Sequence, residues 1–446
     1  MRFLLSCYPI PGHLNPNLAL AHALRVRGHE VAMYSGSAAK KAIEDEAIQL
    51  YAFDPCMDRL ATSILWPTEG PSAVSSLSSS TGGFLRKGEL NRILKEWFLQ
   101  TIPQQVADLE RACADFQPDV LVTDLILMGP LLVLKDKLSI PVAVFSVLSA
   151  CSVPGPDAPA WGRGLRPPRT LATRLRSTVE RKVMNWLTAD FRADANRIRH
   201  QYGLPALKGI LADEYKRVPL FTVATVPSFD YNRKDLPESV QYVGACLWTG
   251  GKAMASPAWL TNLRRPPPVV HVTEGTIYSG ETIVLKAAAA GLSGLPLHVI
   301  MTTGKHRKPE DLNLGPVGAN VRIEQFVPHH ALFTKTDVVV TTGGAGTVNT
   351  ALLEAIPLIV VPTGWDLPEN AQRVVECGAG LRISPRHCTP ERLRKAVQTV
   401  LADPRYRENA RRIGMELKNQ GGPARAAELL ERLVASKTDQ SMSFTK

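Results

Sequence analysis

The sequence contains no unbroken apolar run near the ~18 residues that a membrane-spanning helix needs, which argues against a helical membrane protein. Cysteine is sparse and shows no pairing pattern. The seven residues Cys7, Cys56, Cys113, Cys151, Cys246, Cys377 and Cys388 have neither CxxC spacing nor the density of a disulfide scaffold, so buried thiols are expected. No His/Cys cluster has metal-ligand spacing. The opening MRFLLSCYPIPGH lacks the basic start, long apolar stretch and small-residue cleavage site of a signal peptide; it reads as a buried strand, and a cytoplasmic location is expected. Negative charge is in deficit, with 41 Asp and Glu against 52 Lys and Arg and a net charge of +11. That excess is spread along the chain without a basic motif interleaved with aromatics, which argues against a nucleic-acid partner. One concentrated stretch, from Arg163 through Arg166, Arg169, Arg174, Arg176 and Arg181 to Lys182, is opposed only by Glu180. It reads as a solvated helix face, with peripheral contact to anionic lipid or an acidic partner as the second reading.

What is present is a chain of 446 residues, 45% hydrophobic and 21% charged, long enough for two domains of about 200 residues each. Strand-like apolar runs alternate with helical patterns, the signature of βαβ units and a parallel sheet covered on both faces. Strands are expected at Phe3–Tyr8, Glu30–Ser35, Val120–Thr123 and Val142–Val147, and a helix at Asn15–Arg27 closed by Gly28. The pattern restarts after the Gly- and Pro-rich stretch Thr249–Pro268. Strands follow at Val269–Thr273, Leu297–Thr302, Val321–Phe326, Asp337–Thr341 and Leu358–Val361, then helices at Tyr406–Asn419 and Pro423–Ala435. The expected organisation is α/β, with a Rossmann-like domain over 1–248, a linker over 249–268, a second Rossmann-like domain over 269–435 and a tail over 436–446. The last helices are free to pack back on the first domain.

Two turns carry candidate chemistry. TTGGAGT, Thr341–Thr347, lies between a strand and a helix start; its glycines admit close backbone approach, and the helix start offers unpaired N–H groups to an anion. The alternative is a glycine turn kept for packing. Downstream, VPTGWDLPEN places Trp365, Asp366 and Asn370 at the carboxyl edge of the sheet, where open α/β sheets bind ligands, with a helix cap as the other role for Asp366. In the first half, PIPGHLNP sets His13 just past the first strand, near a helix N-terminus expected to disfavour the imidazolium and leave a neutral base. Asp124 ends another strand and would reach the second ring nitrogen, fixing the tautomer; capping a helix is its alternative.

Over nearly its whole length the chain resembles the family 1 glycosyltransferases of GT-B fold that decorate natural products. The resemblance rests on GHLNP followed by RGHEV, and on the spaced set FVPHHALF, TTGGAGT and GWDLPENAQRV. It implies two Rossmann-like domains facing across a cleft, and inverting transfer of a hexose or deoxyhexose from a UDP- or dTDP-sugar to a small apolar acceptor. By that resemblance His13 deprotonates the acceptor hydroxyl with Asp124 as partner. Phe326 lies against the base, Val327 offers backbone hydrogen bonds, and Gly344, Gly346 and Thr347 hold the diphosphate with help from Thr276. Asp366 binds sugar hydroxyls and Asn370 sits on the following helix. Three positions depart from the family pattern: Thr342 replaces a phosphate-touching His, Thr350 a ribose-binding Glu, and Leu367 the Gln after the sugar-binding acid. These departures favour a deoxygenated sugar on a deoxyribose nucleotide. No Asp-x-Asp pair is present to anchor a divalent ion against a sugar nucleotide, so neither metal nor cofactor is expected. Trp66, Phe84, Trp97, Phe98, Phe145 and Met128 are candidates for the acceptor pocket, each with a core role as the alternative. The halves are expected to close about the linker. A sugar-nucleotide epimerase of the same fold, or an inactive auxiliary protein, is the competing reading.

Overall fold

A computed structural model describes residues 1–65, 95–248, 250, 255–275, 282–304 and 307–443. Two all-parallel sheets organise the chain. The first has the order β3-β2-β1-β4-β5-β6-β7, from β1 (Arg2–Ser6), β2 (Glu30–Ser35), β3 (Gln49–Ala52), β4 (Val120–Asp124), β5 (Val142–Ser146), β6 (Phe221–Val223) and β7 (Val240–Tyr242). The second has the order β10-β9-β8-β11-β12-β13, from β8 (Val269–Thr273), β9 (His298–Thr302), β10 (Val321–Glu324), β11 (Val338–Thr341), β12 (Leu358–Val360) and β13 (Gly380–Arg382). Both have the same logic: strands are laid down in one direction, then the chain returns to the centre and builds the other way. The order reverses between β1 and β4 in the first sheet and between β8 and β11 in the second. The loops leaving those central strands diverge, which opens a crevice at their carboxyl ends.

Central strands are apolar at nearly every position because helices cover both faces. In β4, β5 and β8 all five residues are buried. Helix α1 (Pro11–Val26) starts four residues earlier than the periodicity predicts and contains Pro16. Pro11 at the first helical turn explains the early start, since its missing N–H has no helical partner to lose. The short strands β3, β6, β7 and β13 carry too few residues for an alternation to register in the sequence. Among the described residues six cysteines are free thiols, and Cys56, contrary to expectation, is exposed.

The segment read as a solvated basic face forms helix α2 (Leu171–Leu187). The arginines of this stretch are paired: Arg174 with Asp157, Arg163 and Arg176 with Glu180, and Arg166 and Arg169 with Glu376 of the second domain. These arginines remain more than half exposed, as expected of a solvated basic face, and Leu171, Leu175 and Val179 are exposed beside them. Among the described residues no helix is long and apolar enough to cross a membrane.

In the second half, α3 (Ala345–Leu353) follows β11, and α4 (Leu367–Glu376) follows β12. Helix α5 (Pro404–Asn419) then leads into α6 (Gly422–Ser443), which runs through most of the residues expected as a tail. Helix α6 packs back on the first domain: Ala426, Ala427 and Leu430 join its core, and Glu431 meets Arg27 at 2.6 Å and His29 at 2.6 Å.

Candidate active site

His13 and Asp124 come from the two strands flanking the reversal point of the first sheet. β1 delivers His13 into the first turn of α1, where the His13 and Leu14 amides both donate to the Ile10 carbonyl. β4 ends on Asp124. His13 Nδ1 is hydrogen-bonded to Asp124 Oδ2, and both side chains are buried. The other carboxylate oxygen, Oδ1, accepts the Ile126 amide at 3.1 Å, so it fixes the turn after β4 and leaves Oδ2 aimed at the ring. Burial pushes the His13 imidazole down, but Asp124 beside it and Asp366 across the crevice outweigh that, and the net shift is upward from the ordinary value. The helix N-terminus, expected to hold the ring neutral, is therefore not the deciding influence. A carboxylate in direct contact acts more strongly than a fraction of a charge at a helix end.

The second domain supplies the facing wall. Gly343 has φ +101°, and a Cβ there would stand 2.6 Å from Val360 Cγ1, so the turn after β11 requires glycine at this point. Gly344 then caps α3 without any side-chain hydrogen bond, and Cβ atoms at Gly344 and Gly346 would meet nothing within 4 Å. Helix geometry leaves the first-turn amides, around Gly346 and Thr347, without intrahelical partners. Open space thus stands before the positive end of a helix. Thr342 Oγ1 donates to the Glu274 carbonyl at 3.1 Å, tying the glycine turn to the loop after β8. Glu274 itself accepts the Val284 amide at 3.0 Å through Oε1 and meets Arg307 at 3.0 Å through Oε2. Thr276 lies outside the described residues. Thr350 donates its hydroxyl back to the Gly346 carbonyl at 2.7 Å.

Asp366 occupies the cap position of α4, yet its side chain caps nothing there; its Oδ2 accepts from Asn370 Nδ2 at 2.9 Å. Asn370 Nδ2 also reaches the Gly343 carbonyl at 2.9 Å, locking the acid to the glycine turn. Burial raises the Asp366 carboxyl above its ordinary range, with His13 opposing the shift. Leu367 opens α4 beside Gly343. Val327 is buried in the second domain's core, whereas Phe326 is exposed. Trp365 turns towards the first domain, its ring 6.4 Å from and parallel to Phe98 and 6.0 Å from Trp161.

Of the apolar candidates, Phe145 and Met128 are buried in the first domain's core. Phe98 is half-buried against the first domain's core and faces Trp365 of the second, and Trp66, Phe84 and the Trp97 side chain lie outside the described residues. Sequence reasoning missed several groups here. Asn349 Nδ2 donates across the crevice to the Ala224 carbonyl at 3.3 Å, and Arg373 of α4 meets Asp230 of the first domain at 2.7 Å. Only the Glu369–Arg373 spacing of one helical turn was readable in advance, as a surface pair.

Two Rossmann-like domains with a buried His–Asp pair facing a glycine turn across a crevice define a GT-B glycosyltransferase. Residues 290–433 match the erythromycin biosynthesis protein CIII-like C-terminal domain. The chain is 34% identical over 438 residues to 4'-demethylrebeccamycin synthase of Lentzea aerocolonigenes, covering 97% of this chain and 99% of that one. It is 27% identical over 433 residues to the demethyllactenocin mycarosyltransferase of Streptomyces fradiae, covering 96% and 85%. Among solved structures, the glycosyltransferase VinC in complex with dTDP superposes with a TM-score of 0.67 at 20% identity, covering 98% of this chain and 100% of that one. The chain belongs to the family of natural-product glycosyltransferases to which these relatives belong.

Proposed function

We propose that this glycosyltransferase transfers a hexose or deoxyhexose, with inversion, from a nucleoside diphosphate sugar to a small apolar natural product. The observation that carries the reading is the His13–Asp124 pair, buried at one wall of the crevice with Asp366 at the other. In this mechanism His13 Nε2 takes the proton of the acceptor hydroxyl as its oxygen attacks the anomeric carbon. The bond from that carbon to the diphosphate oxygen breaks on the opposite face, and the electron pair leaves with the nucleoside diphosphate. Asp124 holds the Nδ1 proton and steadies the imidazolium. Charge growing on the leaving group is met by the first-turn amides of α3, fixed before the reaction begins. No step is assigned to a metal or cofactor. Phe326 takes the nucleobase, Val327 its backbone hydrogen bonds, and Gly344, Gly346 and Thr347 the diphosphate, with Thr276 and Thr342 assisting.

Asp366 is free of a capping role and takes the sugar hydroxyls. Leu367 next to it cannot hydrogen-bond, so a fully hydroxylated hexose leaves a polar group against an apolar side chain, a cost of about 1–3 kcal/mol. Thr350, short and bonded to the Gly346 carbonyl, does not bridge two ribose hydroxyls. Both features favour a dTDP-deoxysugar at least as much as UDP-glucose, and the dTDP complex of VinC is consistent with that choice of nucleotide. The test is His13→Ala. Transfer is expected to fall by about 10²–10⁴-fold, the contribution of a general base, with nucleotide affinity nearly unchanged because the nucleotide binds the other domain. A variant keeping more than about a tenth of wild-type turnover refutes the assignment.

A further inference from the structure

The chain between β5 and α2 leaves the acceptor-side domain and crosses to the donor side, and it is tied down at two places. Near its start, the Ala150 amide donates to Asp230 Oδ2 at 2.6 Å, and Arg233 Nη1 donates to the Ala150 and Val153 carbonyls at 2.7 and 2.8 Å. Farther along, the Gly162 and Gly164 amides both donate to one oxygen, Glu369 Oε1, at 3.0 and 2.9 Å. Arg382 Nη1 donates to the Gly164 carbonyl at 2.7 Å. The approach is close: a Cβ at Gly164 would stand 2.0 Å from the Pro368 carbonyl oxygen, in the first turn of α4.

Glu369 sits in that same turn, between Asp366 and Asn370, and is 1% exposed. Its second oxygen faces Arg373 Nη1 at 3.2 Å. Arg373 is 0% exposed, meets Asp230 Oδ1 at 2.7 Å and lies over the Tyr231 ring at 4.2 Å. Asp230 Oδ2 also accepts the Tyr242 hydroxyl at 3.0 Å. One helical turn of the donor domain thus presents the sugar-binding acid on one side and is bonded through the other to two loops of the acceptor domain. Buried ionic groups of this kind add little net stability when complete, but leave costly unpaired groups when one member is removed. Their geometry is therefore better suited to fixing a distance than to holding the fold together.

We propose that Glu369 is a positioning residue for sugar transfer. It seats the 150–168 strap on the first turn of α4 and, through Arg373 and Asp230, sets the separation between Asp366 and His13. The proposal rests on the transfer reading above, with His13 in one domain and the sugar held by the other. With alanine at 369 the two glycine amides lose their shared acceptor and the strap lifts towards water; with glutamine the acceptor oxygen remains, and Arg373 keeps Asp230. Misplacing the reacting groups by about 1 Å costs on the order of 10²-fold in rate.

The experiment compares wild type, Glu369→Ala, Glu369→Gln and Gly164→Ala, with an acceptor that the wild-type chain glycosylates. It reads kcat, dTDP affinity, the ratio of sugar passed to acceptor against sugar passed to water, and amide exchange over 150–168. Glu369→Ala and Gly164→Ala are expected to lower kcat by about 10–100-fold and to shift the ratio about tenfold towards water. Exchange over the strap should rise while dTDP affinity is retained. Glu369→Gln should recover most of the rate. An unchanged ratio in a folded Glu369→Ala or Gly164→Ala protein overturns the proposal, as does a glutamine variant as impaired as alanine. Should Glu369→Ala fail to fold, Gly164→Ala and Glu369→Gln decide alone. A wild type that transfers to no acceptor strikes the transfer reading instead; exchange over 150–168 still reports on the latch, and unchanged protection in the variants overturns it.

Discussion

Asp124→Asn is the sharpest perturbation of the site, because the structure dictates how the new amide must sit. The carboxylate uses Oδ1 to accept the Ile126 amide and Oδ2 to meet His13 Nδ1. An asparagine has only one oxygen, and the buried Ile126 N–H can be satisfied by nothing but an acceptor. The amide oxygen therefore faces Ile126, which aims the NH2 group at His13 Nδ1. An imidazole receiving a hydrogen bond at Nδ1 carries its own proton on Nε2, the nitrogen that the proposed mechanism needs bare to accept one from the acceptor hydroxyl. The variant is nearly isosteric and should fold, but it holds the wrong tautomer, and the loss of kcat/KM should be on the order of 10³–10⁴-fold.

The pH profile carries the sign. In the wild type the His13 pKa lies above its ordinary value, so the rate should climb with pH through a limb above about 6.5, as the neutral ring becomes available. With asparagine the burial that lowers the pKa remains and its principal opposition is gone, so the limb of the residual activity should move to lower pH. Initial rates of nucleoside diphosphate release from pH 5 to 9, with dTDP affinity measured in parallel, check both points. Retention of more than a tenth of wild-type activity, or a limb that stays in place, refutes the tautomer argument.

Gly343→Ala and Gly346→Ala should separate folding from binding. The first forces a Cβ to 2.6 Å from Val360 at φ +101° and should cost about 1–3 kcal/mol in thermal unfolding. The second meets no protein atom within 4 Å, so Tm should hold while donor KM rises as its methyl occupies the space before α3. Leu367→Gln should move the ratio of kcat/KM for dTDP-deoxysugar over UDP-glucose towards UDP-glucose; a strict wild-type demand for UDP-glucose that the substitution leaves alone argues against the donor assignment. Closure about the linker, expected from the sequence, is constrained by the buried Arg373–Asp230 contact. Small-angle scattering should therefore show little change in radius on adding dTDP to the wild type, and a larger apo radius for Arg373→Ala.

The sequence was most legible where a single segment carries its own signal. TTGGAGT announces a strand-to-helix turn because glycine is needed locally, and Glu30–Ser35 and Val269–Thr273 read as strands to the residue because burial on both faces keeps most of their positions apolar. His13 and Asp124 were readable as ends of strands in one sheet, although 111 residues separate them, because parallel sheets bring all carboxyl ends to one edge. Contacts between domains have no such rule. Asp230 lies in an unremarkable loop, and nothing near it in sequence indicates an arginine 143 residues away. Trp365 was legible as a residue at the donor edge, but the ring direction that sends it towards Phe98 and Trp161 is a property of packing between halves.

The electrostatic demands of the proposed transfer explain why it is divided between two sheets. His13 must gain a positive charge as it takes the proton, and the carboxylates around it, Asp124 in contact and Asp366 across the crevice, favour that state. The same carboxylates would repel a departing diphosphate. The leaving group is better served by the amide-rich start of α3, whose field has the opposite sign. Neither sheet edge alone can present both the His13–Asp124 pair and the α3 amides. Two edges facing each other can, provided that their spacing is fixed, and the buried contacts of Glu369 and Arg373 lie on α4, beside the acid proposed to hold the sugar.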